Sequence, residues 1–148
     1  MHTIARKPAR ASQVHRDLIP PLVGLALYIP SFFLPAIEGS VGYQFALSSI
    51  LGTVTPLALF CGIINPLLVV YFLLLVADVA VRLRRILIFT ILACLPLTWI
   101  SFLIINTAPA IGHLMWVGGI LLIVLPEAQE HLKFGIVQWA SRSWKTSQ

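Results

Sequence analysis

Charge is scarce in this sequence, and negative charge is the scarcest. The 148 residues include ten Lys and Arg but five Asp and Glu, and charged residues make up 10% of the chain. A soluble domain usually has about a quarter of its residues charged. Hydrophobic residues make up 59%, and the mean hydropathy is +0.95. The composition therefore excludes an ordinary soluble domain and indicates a single membrane domain.

The sequence also lacks the short motifs that mark the common enzyme classes. It contains no G-x-S-x-G, no H-E-x-x-H, no phosphate-binding loop and no C-x-x-C. The two cysteines, Cys61 and Cys94, fall in different apolar runs at depths roughly 10 Å apart, and a disulfide needs Cα atoms within about 7 Å. We predict two free buried thiols, no catalytic residues, no metal site and no cofactor.

Long uncharged apolar runs are what the sequence has in abundance. A helix needs about 20 residues to cross ~30 Å of hydrocarbon. We predict an all-α integral membrane four-helix bundle over residues 18–126. Its spans are expected at 18–37, 56–77, 86–106 and 109–126. Residues 1–17 form a basic tail before the bundle, and residues 127–148 form a second tail after it.

Two segments beside the spans are amphipathic rather than uniformly apolar. In 41–55, a helical projection places Tyr43, Leu47 and Ile50 on an apolar face opposite uncharged polar residues, with Phe45 as the exception. We expect this outer segment either to lie flat on the membrane or to fold over the ends of the spans. In 127–148, tryptophan and basic side chains on one helix suit an interfacial anchor.

The basic residues alternate along the chain and predict its orientation. All ten Lys and Arg lie in the N-terminal tail, in the cap between the second and third runs, or in the C-terminal tail. By the positive-inside rule, both termini are therefore cytoplasmic. Asp78 stands four residues before Arg82, a spacing that predicts a helical ion pair continuing the second span into the cap. The residues that we assign to orientation and to contact with anionic lipid are Arg6, Lys7, Arg10, Arg82, Arg84 and Arg85.

Four short stretches of the sequence form a recognisable pattern. They are FFLPAIEG at 32–39, GYQFALSSILG at 42–52, INPLL at 64–68 and the RLRR cap. Together they resemble a pattern in small bacterial inner-membrane proteins of unassigned function, over most of residues 25–126. Tyr43 stands where that pattern often has Trp. The resemblance implies four spans in a bacterial cytoplasmic membrane, and it implies no activity.

Helix-breaking residues recur near the middle of the predicted spans. Pro30, Pro66, Pro96 and the pair Gly118-Gly119 fall at similar depth, and Asn65 adds a polar side chain there. Matched breaks expose backbone groups to substrate in transporters, although proline and glycine are also ordinary features of membrane helices. No ionisable side chain lies at that depth, which argues against a proton-coupled pump.

Histidines and carboxylates supply the remaining candidates. His113 is the one histidine inside a predicted span and lies close in depth to Glu38, so that the two suggest either a pair sensitive to external pH near ~6 or a plain interfacial histidine. A second intramembrane histidine, which haem ligation would require, is missing. Glu127 and His131 share a helix face, but two ligands do not close a metal site. Solvated residues at a helix start are the simpler interpretation.

The functional expectation follows from these patterns. We predict a non-enzymatic membrane protein that works through a protein partner or a second copy, as an accessory, assembly or interaction subunit. The alternative is a small oligomeric transporter or channel that uses the breaks at Asn65-Pro66 and Pro96. An immunity protein against a pore-forming toxin also fits the size and topology. Membrane lipid is an expected partner in each case, and nucleic acid is not.

Overall fold

The computed structural model describes residues 10–51 and 58–145, with side chains over 18–51 and 59–133. Apart from one short pair of strands, the described chain is helical, which confirms the all-α prediction. The elements in chain order are α1 (Arg10–Ser31), β1 (Pro35–Ile37), β2 (Ser40–Val41), α2 (Gly42–Ile50), α3 (Ala58–Val76), α4 (Val81–Ile104) and α5 (Ile111–Lys145).

Three of the described helices are long and apolar enough to cross a membrane. The spanning windows are Leu59–Val76, Val81–Ile104 and Ile111–Lys133. Helix α1 contributes a shorter apolar stretch, Leu18–Ser31. Length and composition thus support a transmembrane protein, and we treat the chain as one.

The helices pack as two antiparallel pairs, α1 with α5 and α3 with α4. Glycines allow α1 and α5 to approach each other closely. A Cβ on Gly24 would lie 2.6 Å from the carbonyl oxygen of Gly119, and one on Gly119 would lie 2.7 Å from that of Gly24. Small residues allow this close approach, which matters because burial against lipid supplies little driving force between membrane helices. Gly118 has nothing within 4 Å of such a Cβ, and α5 continues unbroken through both glycines.

The core lies between the two pairs. Its fully buried members include Ile64 and Tyr71 of α3, Ile91 of α4 and Ile120 of α5. The two cysteines are buried and free, as predicted from their depths. The centre of the described bundle is therefore an apolar layer, with polar side chains above and below it.

Helix α1 ends earlier than predicted. It stops at Ser31 rather than running to residue 37, and its start lies at Arg10. Pro30 therefore falls in the last turn and not in mid-helix, whereas Pro20 and Pro21 lie inside the helix. The chain then turns into the β1–β2 hairpin, where Gly39 adopts a φ of 79°. A run long enough to span thus contains both a helix and the first strand of a hairpin, a division that apolar content alone does not reveal.

The link between α3 and α4 breaks the helix that was expected to continue. Asp78 and Ala80 have φ values of 52° and 54°, in the left-handed region, and α4 begins at Val81. The predicted helical pair between Asp78 and Arg82 is therefore wrong. Asp78 instead lies 3.7 Å from the Nη1 atom of Arg84. Helix α4 begins five residues before the predicted start of that span, so that the cap arginines lie within its first five residues.

Helix α5 does not end at Pro126. It continues as one helix of 35 residues to Lys145, through the segment predicted as a separate tail. The side chains beyond residue 133 lie outside the described part, so the interfacial anchor stays a prediction. The continuity places Glu127 and His131 in the interior of a long helix rather than at a helix start.

Helix α2 packs with the opposite face to the one expected. Phe45, the exception in the apolar pattern, is buried together with Ser49, and its ring stacks on Phe102 at 5.7 Å. Tyr43 and Leu47 of the predicted apolar face are exposed. Helix α2 folds over the start of α3 and contacts β1. Of the two placements that the sequence left open, contact with the bundle is the one observed.

Candidate functional site

A buried ion pair joins α4 to α5 at the charged end of the bundle, which we define as the α3–α4 link, residues 81–85 of α4, and residues 18–21 and 127–133. The Nε atom of Arg84 lies 3.2 Å from Oε1 of Glu127. The two side chains are 9% and 13% exposed. Charges this far from water are tolerated in membrane proteins mainly when they are paired. The pair therefore fixes the register between two helices.

Two further side chains contact Glu127. The hydroxyl of Tyr71 on α3 donates to its Oε2 atom at 3.0 Å. Nε2 of His131, one turn along α5, lies 3.4 Å from its Oε1. Arg85 approaches the other ring nitrogen of His131 at 3.3 Å. One carboxylate thus links α3, α4 and α5.

The hydrogen bonding of Arg84 is incomplete among the described residues. Its Nε atom is buried without a hydrogen bond of good geometry, although the charge of Glu127 is close. The contact to Asp78 at 3.7 Å is too long for a hydrogen bond. A guanidinium presents five N–H donors, and a buried donor without an acceptor is costly. Arg84 therefore has donors to spare.

A cavity of about 480 Å³ opens beside this pair. Such a volume lies within the range of small-ligand sites, about 300–1,000 Å³. Its polar lining consists of Tyr71, Asp78, Arg84, Glu127, Glu130 and His131. Among the lining residues that the structure describes, three carboxylates stand against one guanidinium, a formal charge of −2 with His131 counted as neutral. The lining is thus acidic at an end of the chain that is otherwise basic.

A second polar site, without charge, lies towards the opposite end of the bundle. The side-chain oxygen of Asn65 accepts hydrogen bonds from the hydroxyl of Tyr28 at 2.8 Å and from Nε1 of Trp116 at 2.9 Å. These contacts join α1, α3 and α5 through a single amide. The polar side chain that the sequence placed beside Pro66 therefore serves as a junction between helices.

His113 lies beside this junction in an aromatic cage. It is 3% exposed, and its ring centroid is 4.4 Å from that of Phe102 and 5.3 Å from that of Trp116. Its Nε2 atom is buried and has no hydrogen-bond partner among the residues that the structure describes. A cavity of about 30 Å³, large enough for a water molecule, is lined by His113 and Asn65. Glu38 is exposed on the hairpin, and no hydrogen bond or ion pair between described residues joins it to His113.

The structure separates the other candidates from these sites. Pro66 and Pro96 are exposed on the outside of the bundle, because each proline faces away from the core. Arg82 and Arg85 are exposed, and their contact with anionic lipid stays a prediction. Arg84, assigned with them to lipid contact, is buried against Glu127. Arg6 and Lys7 lie outside the described residues, and of Arg10 only the backbone is described.

The charged cluster around Glu127 is what sequence reasoning missed. The sequence pattern predicts that Glu127 and His131 are solvated residues, and it gives no indication of a contact with Tyr71. A signal was available, since the positive-inside pattern already placed the arginine cap and the end of the last span at the same end of the bundle. Because charges in membrane segments are expected to pair, an arginine and a glutamate there were candidates for each other.

No group of three or more His, Cys, Asp and Glu side chains within the described residues is arranged to hold a metal ion. Comparisons of the chain with protein-family models, with curated proteins and with solved structures found no match.

Proposed function

We propose that the chain is an accessory or assembly subunit of a membrane complex and carries out no catalysis itself. The observation that supports this most is the use of the polar side chains inside the bundle. Asn65 joins three helices, and Glu127 joins another set of three. Polar side chains that are bonded between helices stabilise the bundle, and few polar groups then remain available for catalysis.

The apolar layer between the two sites supports the same proposal. Along the helices, Leu68, Ile91 and Ile120 lie between the Asn65 site and the Glu127 site, and each is 0–2% exposed. A single chain with such a layer offers no polar route through the described bundle. The outward surface, by contrast, is large, since only 28% of the α3 window is buried within the chain. That surface is available to lipid and to a partner.

The proposed location is a bacterial cytoplasmic membrane, with four spans and both termini in the cytoplasm. The distribution of charge supports this orientation. Arg82, Arg84, Arg85 and Lys133 all lie at the charged end, whereas Glu38 is the one charged residue in the connections 38–55 and 107–108. The resemblance to small bacterial membrane proteins favours the same membrane. Tags at the two termini that react only from outside the cell would contradict this orientation.

The decisive experiment for the proposed role is extraction of the full chain from its source membrane into native lipid discs. Mass photometry and protein identification then give the composition of the particle. A stoichiometric second protein is the expected result and names the process. A particle with a single copy of this chain and no other protein would contradict the proposal. A homo-oligomer alone would favour the alternative below.

The alternative is an oligomeric transporter or channel, and the two stacked cavities favour it. The cavity beside Arg84 and the one beside His113 lie in the same bundle on either side of one apolar layer. A pathway would have to cross that layer near Asn65. Replacement of Asn65 by Leu should abolish flux in reconstituted vesicles if the residue lines a pathway. Full flux in that variant would remove Asn65 from any such pathway.

A further inference from the structure

The charged-end cavity has an unusual wall, a guanidinium that is buried but not fully hydrogen-bonded. The side chain of Arg84 is 9% exposed, and its contacts to Glu127 and Asp78 satisfy charge better than they satisfy its N–H donors. Donors of this kind favour an acceptor with several oxygens. Phosphate fits best, because a guanidinium can bind two of its oxygens at once.

The rim of the same cavity is negatively charged and therefore favours a cation. Glu127 is already engaged by Arg84 and Tyr71, but the carboxylates of Asp78 and Glu130 are exposed at the rim. The side chain of Asp78 is 90% exposed, with one contact of 3.7 Å to Arg84. A cationic group at the rim would complement this excess of negative charge. An anionic head group without a cation would meet two carboxylates on its way in.

The remaining wall is apolar, with Leu18 and Pro20 half-buried and Pro21 and Ile123 buried. Leu18, Pro20 and Pro21 of α1 line it, together with Ile123 of α5. These residues lie where the apolar stretch of α1 begins, at the end of the bundle that carries the basic residues. A ligand that fills this space combines a polar head with an apolar body, at the depth where lipid head groups meet acyl chains.

We propose that the charged-end cavity binds the head group of a zwitterionic phospholipid with a primary ammonium, with its phosphate at Arg84 and its ammonium at Glu130 and Asp78. The acyl chains then leave past the half-buried side chains of Leu18 and Pro20. The volume of about 480 Å³ accommodates a head group of this size. The proposal rests on the membrane location given above but not on the accessory role, so each can fail separately.

Lipid retention by the full chain tests the proposal. The purified protein is mixed with equal amounts of phosphatidylethanolamine, phosphatidylcholine and phosphatidylglycerol of identical acyl chains and examined by native mass spectrometry. The ethanolamine lipid is expected to be retained about tenfold over the other two, since choline has no N–H donors and glycerol has no cation. Equal retention of all three, or preference for the glycerol lipid, would overturn the proposal.

Two exposed carboxylates, one at each end of the bundle, test where the ammonium group binds. Glu130→Gln removes one charge from the rim, and Glu38→Gln removes one from the opposite end. Both residues are exposed, so both variants should fold as the parent does. The first should lower the preference for the ethanolamine lipid about threefold to tenfold, and the second should leave it unchanged. An unchanged preference in Glu130→Gln would contradict the assignment of the ammonium site.

A substitution at Arg84 tests the proposed phosphate contact. Arg84→Lys keeps the charge but replaces the forked donors, so retention of the ethanolamine and choline lipids should fall together. Soluble phosphoethanolamine, added as competitor, separates a lipid site from a site for a free zwitterion. Little displacement of the lipid at millimolar competitor is expected. Displacement at micromolar competitor would show that the acyl chains contribute nothing and would overturn the lipid assignment.

Discussion

The Asn65 site and the Glu127 site join helices of the same bundle by opposite means. At Asn65, one neutral amide oxygen accepts two short hydrogen bonds, and the adjoining cavity holds about 30 Å³. At Glu127, a carboxylate faces a buried guanidinium with incomplete hydrogen bonding, beside a cavity of about 480 Å³. The neutral site has the smaller cavity, and the hydrogen bonds to its amide oxygen are short. The charged site has the larger cavity and a guanidinium with hydrogen-bonding capacity left.

The difference follows from the cost of charge in an apolar medium. Neutral hydrogen bonds between membrane helices contribute roughly 1 kcal/mol each, and they leave no charge to solvate. A buried ion pair stabilises only when its geometry is good, and the loss of one partner is expensive. A junction that serves stability alone therefore works best without charge, as at Asn65. The charge at Glu127 is not explained by stability alone, and in our proposal its partner Arg84 also binds the lipid head group.

The largest expected effect is the loss of stability when the buried carboxylate on α5 is removed, compared with removal of an exposed one. Glu127→Ala leaves Arg84 as an unpaired buried charge and should lower the free energy of unfolding by about 3–5 kcal/mol. Glu130→Ala, one turn away on the exposed side, should change it by less than about 0.5 kcal/mol. Reversible unfolding in mixed detergent micelles measures both variants. Equal effects would mean that burial does not distinguish these residues.

The next prediction concerns the α1–α5 crossing that holds the two sites in register. Gly119→Ala forces a methyl group against the backbone of Gly24 and should destabilise the protein by about 1–3 kcal/mol. Gly118→Ala meets nothing within 4 Å and serves as the control. It should be neutral or slightly stabilising, because alanine is the better helix former. A larger loss at Gly118 would place the crossing elsewhere.

At the neutral site, Asn65→Leu removes two hydrogen bonds and should lower the free energy of unfolding by about 1–2 kcal/mol. Tyr28→Phe removes one of the two and should have about half that effect. The same micelle unfolding assay compares the variants. If Tyr28→Phe were as damaging as Asn65→Leu, the bond from Trp116 would contribute nothing, and the view of Asn65 as a three-helix junction would need revision.

The smallest expected effect compares the links at the two ends. Ala80 near the charged site and Asn106 near the neutral site both have positive φ, 54° and 49°. Alanine is strained in this region, whereas asparagine tolerates it. Ala80→Gly should therefore stabilise the protein by about 0.5 kcal/mol, and Asn106→Gly should not. A shift of the thermal midpoint in the opposite order would contradict the backbone conformation of one of the links.

The long helices were predictable, and the way they face one another was not. The apolar runs of α3, α4 and α5 are long enough to be unmistakable, and the glycines and prolines lie inside them. Which face turns inward is a different question, because lipid is as apolar as the core and leaves no periodic signal. Helix α2 is a different case: its pattern is periodic, but the structure buries Phe45, the exception to that pattern.

The two sites differed in how far the sequence could reveal them. Asn65 and His113 were recognisable as isolated polar residues in apolar runs, although their common cavity was not. Arg84 was one of three arginines in the cap, and nothing local distinguishes the buried one from its exposed neighbours. That distinction depends on the left-handed turn at Ala80, which rotates the start of α4. A strained alanine has no sequence signature.

The coupling energy between Arg84 and Glu127 tests the account of the charged site most directly. A double-mutant cycle with Arg84→Met and Glu127→Ala measures it from the unfolding of the two single variants, the double variant and the parent chain. We predict that the double variant loses less stability than the two single variants lose together. The difference, which is the coupling energy, should be about 2 kcal/mol. Effects that add to within about 0.5 kcal/mol would contradict a buried pair between α4 and α5.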